Sequence, residues 1–195
     1  MPLPLSRRAA LGGAAVLGAT APFALSALPS QALPLPAHHP DHDSKTAKKF
    51  LQRVVDAYRA TGPRLAQSYQ DDSGLTDIAF VYDNALAVIA LLSVGDRARA
   101  RAIGDALLYA MENDETFDDY RLRQAYHANT FTNPDGTAHF GWEFGLVGTA
   151  VGDMSWAGIA LAHLARVTKR AEYLEGAVRI GDWIQRNARS TSGLK

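Results

Sequence analysis

The chain has 195 residues, 47% of them hydrophobic, which suits one domain with a core and excludes a disordered chain. Basic and acidic residues balance at 20 each; setting aside Arg7 and Arg8 leaves 18 against 20, a net of −2, which excludes a strongly basic nucleic-acid surface. Cysteine is absent, and with it any disulfide framework, thiol nucleophile or Cys-ligated metal.

The chain opens on Ser6-Arg7-Arg8 and an Ala/Gly-rich, mildly apolar stretch from Ala9 to Leu17. A basic start, an apolar stretch and a small-residue exit make a secretory signal, and the paired arginines resemble the twin-arginine type. Ser30-Gln31-Ala32 offers small residues where a signal peptidase needs them, so cleavage is expected after Ala32. A stable membrane anchor is the competing reading; the apolar run is short and is broken by Pro22 and Pro29. The expected location is therefore outside the cytoplasm, periplasmic or extracellular, reached through the twin-arginine export machinery as a folded protein. Residues 33–43, LPLPAHHPDHD, read as a Pro/His-rich linker. His38, His39 and His42 with Asp41 and Asp43 offer a loose metal site, against which a solvated tether is the simpler reading, and no metal or cofactor is expected.

Five helices follow. Phe50, Leu51, Val54, Val55 and Tyr58 recur at helical spacing and predict the first over 45–60, stopped by Gly62-Pro63. The second, 82–93, is apolar all round from Ala85 to Leu92, so it must be surrounded by protein. Gly95 ends it and Asp96 caps the third, 97–113, whose Ala100, Ile103, Leu107 and Met111 form a stripe opposite Arg97, Arg101 and Asp105. A long loop, 114–151, leads to a fourth, largely apolar helix over 154–167. The fifth, 171–188, is two-faced through Leu174, Ala177, Ile180 and Ile184. No segment alternates convincingly with period two, so no sheet is expected and the fold class is all-α.

The second helix pair repeats the first. Asp83 with Ala87, Ile89, Ala90 and Leu91 matches Asp153 with Ala157, Ile159, Ala160 and Leu161 at a constant offset of 70. Gly104-Asp105-Ala106-Leu107 matches Gly181-Asp182-Trp183-Ile184 at 77. An apolar helix paired with an amphipathic one, repeated, predicts a two-layer helical array with the apolar helices inside.

Tyr82-Asp83-Asn84-Ala85-Leu86-Ala87, Arg121-Leu122-Arg123-Gln124-Ala125-Tyr126 and the run from Gly152 to Leu161 are similar to exported proteins of the six-hairpin glycosidase-like superfamily, over about residues 45–189. The resemblance implies an (α/α)₆ toroid and a sugar-directed enzyme; unsaturated glucuronyl hydrolases of that architecture use carboxylates in comparable positions. The chain holds two hairpins and a first helix where such a ring needs six, so the sequence reads as an incomplete α/α toroid, an N-terminal fragment. The open edge would expose apolar inner-helix surface, costing about 25 cal/mol per Å² unless a partner chain covers it.

In toroids of this kind the cleft lies where inner helices begin, which would make Asp83 and Asp153 neighbours there. Paired carboxylates serve glycoside hydrolysis: one donates a proton, the other activates water or attacks. In the unsaturated-uronide variant a single Asp protonates the substrate double bond and water adds. The bland alternative is helix capping, which Asp favours. Glu143, between Trp142 and Phe144, is a third candidate, as a proton donor whose apolar neighbours would raise its pKa. Trp142 and Tyr126 are the expected sugar platforms, with Tyr82 and Trp156 beside the aspartates, although most aromatics of the loop serve simply to pack it. Arg121 and Arg123 would hold a uronate carboxylate by forked hydrogen bonds, or else pair with Asp118 and Asp119.

His127, His139 and His163 have no metal-ligand spacing, and His163 reads as a core histidine. Gly141, Gly145, Gly148 and Gly152 are not spaced as a dinucleotide fingerprint; P-loop, nucleophile-elbow and zinc-protease motifs are absent. The sequence thus points to an exported carbohydrate-active enzyme acting as a glycoside hydrolase on a poly- or oligosaccharide, uronate-containing or not. A related lyase or epimerase, a non-catalytic helical-repeat module that binds carbohydrate or a protein, and an inactive truncated toroid are the competitors.

Overall fold

The structure is a computed structural model that describes residues 40–59, 61–70, 75, 77–141 and 145–188. The leader and most of the linker lie outside the described residues, as do the side chains of residues 40–43. The fold is all-α, with five helices and a two-stranded sheet among the described residues. In chain order these are α1 (Pro40–Val55), β1 (Ile78–Phe80), α2 (Val81–Ser93), α3 (Arg97–Glu112), β2 (Ala125–His127), α4 (Val151–Thr168) and α5 (Ala171–Asn187).

Helices α2 to α5 fall where the periodicity places them, to within three residues at each end. α1 is shifted: it runs from Pro40 to Val55, taking in part of the expected linker and ending before Tyr58. Proline suits a helix start, because its fixed φ is already helical and its missing N–H would have had no partner there. At the other end, just past Val55, the Asp56 carboxylate is held by two arginines, Arg64 and Arg99, each at 2.6 Å. Gln52 Nε2 donates to Asp96 Oδ2 at 2.7 Å, so α1 is tied to the turn between α2 and α3. Asp96 also caps α3 as the sequence predicts, its Oδ1 accepting the Arg99 N–H.

The expectation of no sheet is corrected. β1 and β2 pair antiparallel, with Ile78 opposite His127 and Phe80 opposite Ala125. Strands of three residues are too short to show an alternating pattern, and both are made of buried or half-buried residues. The ribbon runs directly into α2: the Val81 N–H donates to the Gln124 carbonyl at 3.0 Å, and the Gln124 N–H donates to the Gly148 carbonyl at 2.8 Å.

α2 lies beside α4, α3 packs on α2, and α5 packs on α4, while α3 and α5 touch little. The joint between hairpins depends on Gly104: a β-carbon there would collide with the Leu164 side chain and press on Tyr173. The Tyr173 hydroxyl crosses the same joint to donate to Asp105 Oδ1 at 2.6 Å. α2 is covered as an all-apolar helix must be, with Val81, Ala85, Val88 and Leu91 fully buried. α4 is not: Trp156 and Ile159 stay exposed on one flank.

One polar residue sits in the middle of the α2 core surface. Asn84 is fully buried, and its amide is saturated: Oδ1 accepts the Ala66 N–H at 2.7 Å, and Nδ2 donates to the Ala66 carbonyl at 3.0 Å and the Phe80 carbonyl at 2.9 Å. Asn84→Leu would leave both polar groups of Ala66 buried without partners. It should lower stability by about 2–4 kcal/mol, read as a drop in the urea midpoint with an unchanged m-value.

Candidate functional site

Asp83 and Asp153 occupy the same position in two neighbouring helices. The N-cap residues are Phe80 for α2 and Ala150 for α4, and neither makes a side-chain cap hydrogen bond. Each aspartate is thus the third residue of its helix, inside the first turn rather than at the cap. The capping reading is therefore corrected: among the described residues no hydrogen bond or ion pair engages either carboxylate, whereas Asp96 does cap. Asp83 is exposed and Asp153 is half-buried. Burial first, and the Asp83 charge second, raise the Asp153 carboxyl above the ordinary aspartate range.

The two helix starts also bring their aromatic neighbours together. Tyr82 and Trp156 meet edge to face, ring centroids 5.9 Å apart, and remain 40% and 36% exposed. A rim is thereby formed by Asp83, Asp153, Tyr82 and Trp156, with Gln124 and Gly148 behind it joining the helix starts. Trp142 and Glu143 lie outside the described residues.

Three other expected substrate contacts are placed elsewhere. Tyr126 is fully buried, set edge-on to Phe131 at 6.1 Å, and its hydroxyl accepts the Arg123 N–H at 2.9 Å. It is a core residue and cannot serve as a sugar platform. Arg123 is also buried, and its fork closes on Asp114 at 2.6 and 2.8 Å while a third nitrogen donates to the Val147 carbonyl at 2.7 Å. Its guanidinium lies over Phe117 and Phe140, so it is a structural ion pair and not a uronate clamp. Burial alone would raise the Asp114 carboxyl; Arg123 and the Thr116 and Phe117 N–H groups outweigh it and hold the carboxyl below its usual value.

Arg121 pairs with Asp119, as its alternative reading allows, and stacks over Phe117 at 3.7 Å. The Arg121 hydrogen bonds, joined by the Trp183 Nε1–H, lower the Asp119 carboxyl to about 2. Arg121 keeps a partly exposed guanidinium, but its charge is already matched.

The sequence reading missed the partners that decide this sorting. Asp114 is nine residues before Arg123, and a pairing with the nearer Asp118 or Asp119 looks as good on paper. The reading also missed the pairing of His127 with Asp77 at 3.0 Å, since nothing local links residues 50 apart, and the stacking of His127 on His139 at 3.9 Å. His163 is half-buried on α4 rather than a core residue. Among the described residues, no group of three or more His, Asp or Glu is arranged to hold a metal, and no helix is long and apolar enough to cross a membrane.

Comparison with known proteins finds no matching family model, no matching curated protein and no matching solved structure.

The raised Asp153 carboxyl has a thermodynamic sign. A group that holds its proton more tightly when folded penalises the fold once it ionises, so that penalty is absent below the unfolded-state pKa of 3.8 and complete above the folded one. Asp153→Asn should therefore melt above the parent at pH 7, with the gap closing as the pH is taken down to about 3, checked by calorimetry across that range. Arg123→Ala strands the buried Asp114 carboxylate and should cost about 3–5 kcal/mol at pH 7, read by denaturant unfolding.

Proposed function

We propose that the chain is an exported carbohydrate-active enzyme, a glycoside hydrolase built on part of an α/α toroid, with Asp153 and Asp83 as its working carboxyls. The observation that carries this reading is the pairing of two aspartates at equivalent positions of adjacent helices, unengaged among the described residues and flanked by two exposed rings. A structural carboxylate is normally capped or paired, as Asp56, Asp96, Asp114 and Asp119 all are.

The roles follow from environment. Asp153, whose carboxyl is shifted upward by burial and by its neighbour's charge, serves as the acid, giving a proton to the glycosidic oxygen as the bond to the anomeric carbon breaks. Asp83, open to solvent, polarises the water that adds at that carbon or attacks it directly. Tyr82 and Trp156 offer apolar ring faces and edges for a pyranose to lie against. With Arg123 closed on Asp114 and Arg121 matched by Asp119, a neutral sugar fits the described part of the rim better than a uronate. The paired arginines of the leader, Arg7 and Arg8, support the exported location.

A helical-repeat module that binds a protein partner is the second reading, and the exposed flank of α4 and α5 is what favours it.

Hydrolysis of neutral oligosaccharides, followed by release of reducing ends, tests the first reading. Asp153→Asn and Asp83→Asn should each lower kcat by about 10²–10⁴-fold with the fold retained, and Trp156→Ala should act mainly on KM. Full activity in both Asn variants would end the proposal.

A further inference from the structure

Asp83 has an aromatic pair on each side of it. Successive residues of a helix are about 100° apart around its axis, so Asp83 falls between Tyr82 and the N-cap residue Phe80. Tyr82 meets Trp156 across the rim. Phe80 meets Tyr69, also edge to face, with ring centroids 5.9 Å apart. Phe80 is half-buried, while Tyr69 is 40% exposed.

The loop that carries Tyr69 is fastened to the start of α2. Ala66 is held through both its polar groups by the Asn84 amide. The Ser68 N–H donates to the Ile78 carbonyl at 2.8 Å, and the Ser68 hydroxyl accepts the Phe80 N–H at 2.9 Å. Tyr69 therefore follows directly on two residues bonded to the ribbon and to α2. Its hydroxyl makes no hydrogen bond among the described residues. A ring set in place beforehand loses little freedom when a ligand settles against it.

The repeat shows that these rings are not a general need of a helix start. At the offset of 70, Phe80 corresponds to Ala150 and Tyr82 to Gly152, so α4 begins without either. The aromatic pairs are thus an addition at Asp83. Side chains three positions apart on a helix lie about 5–6 Å from one another, the order of one pyranose ring. Two platforms on either side of one carboxylate match two linked sugars, with the linkage over the acid.

We propose that Tyr69 and Phe80 form a second sugar subsite, which takes the pyranose adjoining the one on Tyr82 and Trp156. The site is then built for at least two consecutive neutral pyranoses. This subsite rests on the sugar-directed reading of the rim.

Calorimetric titration of the full chain carrying Asp153→Asn tests it. The probes are glucose, xylose and mannose with their di-, tri- and tetrasaccharides. Affinity should rise about three- to tenfold from monosaccharide to disaccharide, the worth of one aromatic contact. Tyr69→Ala should abolish that gain with the melting temperature unchanged, and Tyr69→Phe should keep most of it. No binding by any probe, or a gain that survives Tyr69→Ala, overturns the subsite. Release of reducing ends by the parent chain alongside a surviving gain leaves the hydrolase reading standing without it. A gain that Tyr69→Ala removes, with no reducing ends released from any disaccharide, ends the hydrolase reading and upholds the subsite.

Discussion

The candidate rim depends on one residue's main chain. Gln124 accepts the first N–H of α2 and donates to the carbonyl of Gly148, three residues before α4 begins. Two helix starts that are 70 residues apart in sequence are thereby held to a common support. Those hydrogen bonds belong to the backbone, so almost any side chain at 124 would make them. What they require is that the β1–β2 ribbon deliver residue 124 to that spot, which the three ribbon pairs and the flanking Gly141 contact to Ala125 ensure. Without this support the apolar helices would still bury themselves, but their starts would not need to coincide.

The helices were legible because burial imposes a period. α2 and α4 carry more apolar surface than one helix face can bury, α3 and α5 carry a single stripe, and that contrast alone separates inner from outer positions. The paired positions of Asp83 and Asp153 were legible from the constant offset between hairpins, because equal distances from equivalent helix starts give equal turns of the helix. The short ribbon was illegible for the opposite reason: three residues make less than two full alternations, and its strands are set by partners 45 or more residues away (Phe80 to Ala125).

Side-chain engagement was the part that local reasoning could not assign. Arg121, Arg123 and Tyr126 look like equal candidates in the string RLRQAY. Their fates differ because Asp114 is itself buried and accepts two backbone N–H groups, a site that can hold only a fully forked, well-matched cation. Tyr126 sits on a strand whose three residues are all buried, so its ring is spent on the core and its hydroxyl on Arg123. The rim aspartates stand out only by contrast with Asp56, Asp96, Asp114 and Asp119, each of which is held by an arginine.

A helix as uniformly apolar as α2 has little of its own to fix how it is turned about its long axis, since greasy neighbours accept any of its sides nearly alike. Asn84 removes that degeneracy. Its amide can meet Ala66 and Phe80 from a single azimuth, and any rotation or one-residue slide would carry it into hydrocarbon. The helix is keyed by the residue next to Asp83, so the same lock that selects one orientation from many also decides which way that carboxylate points.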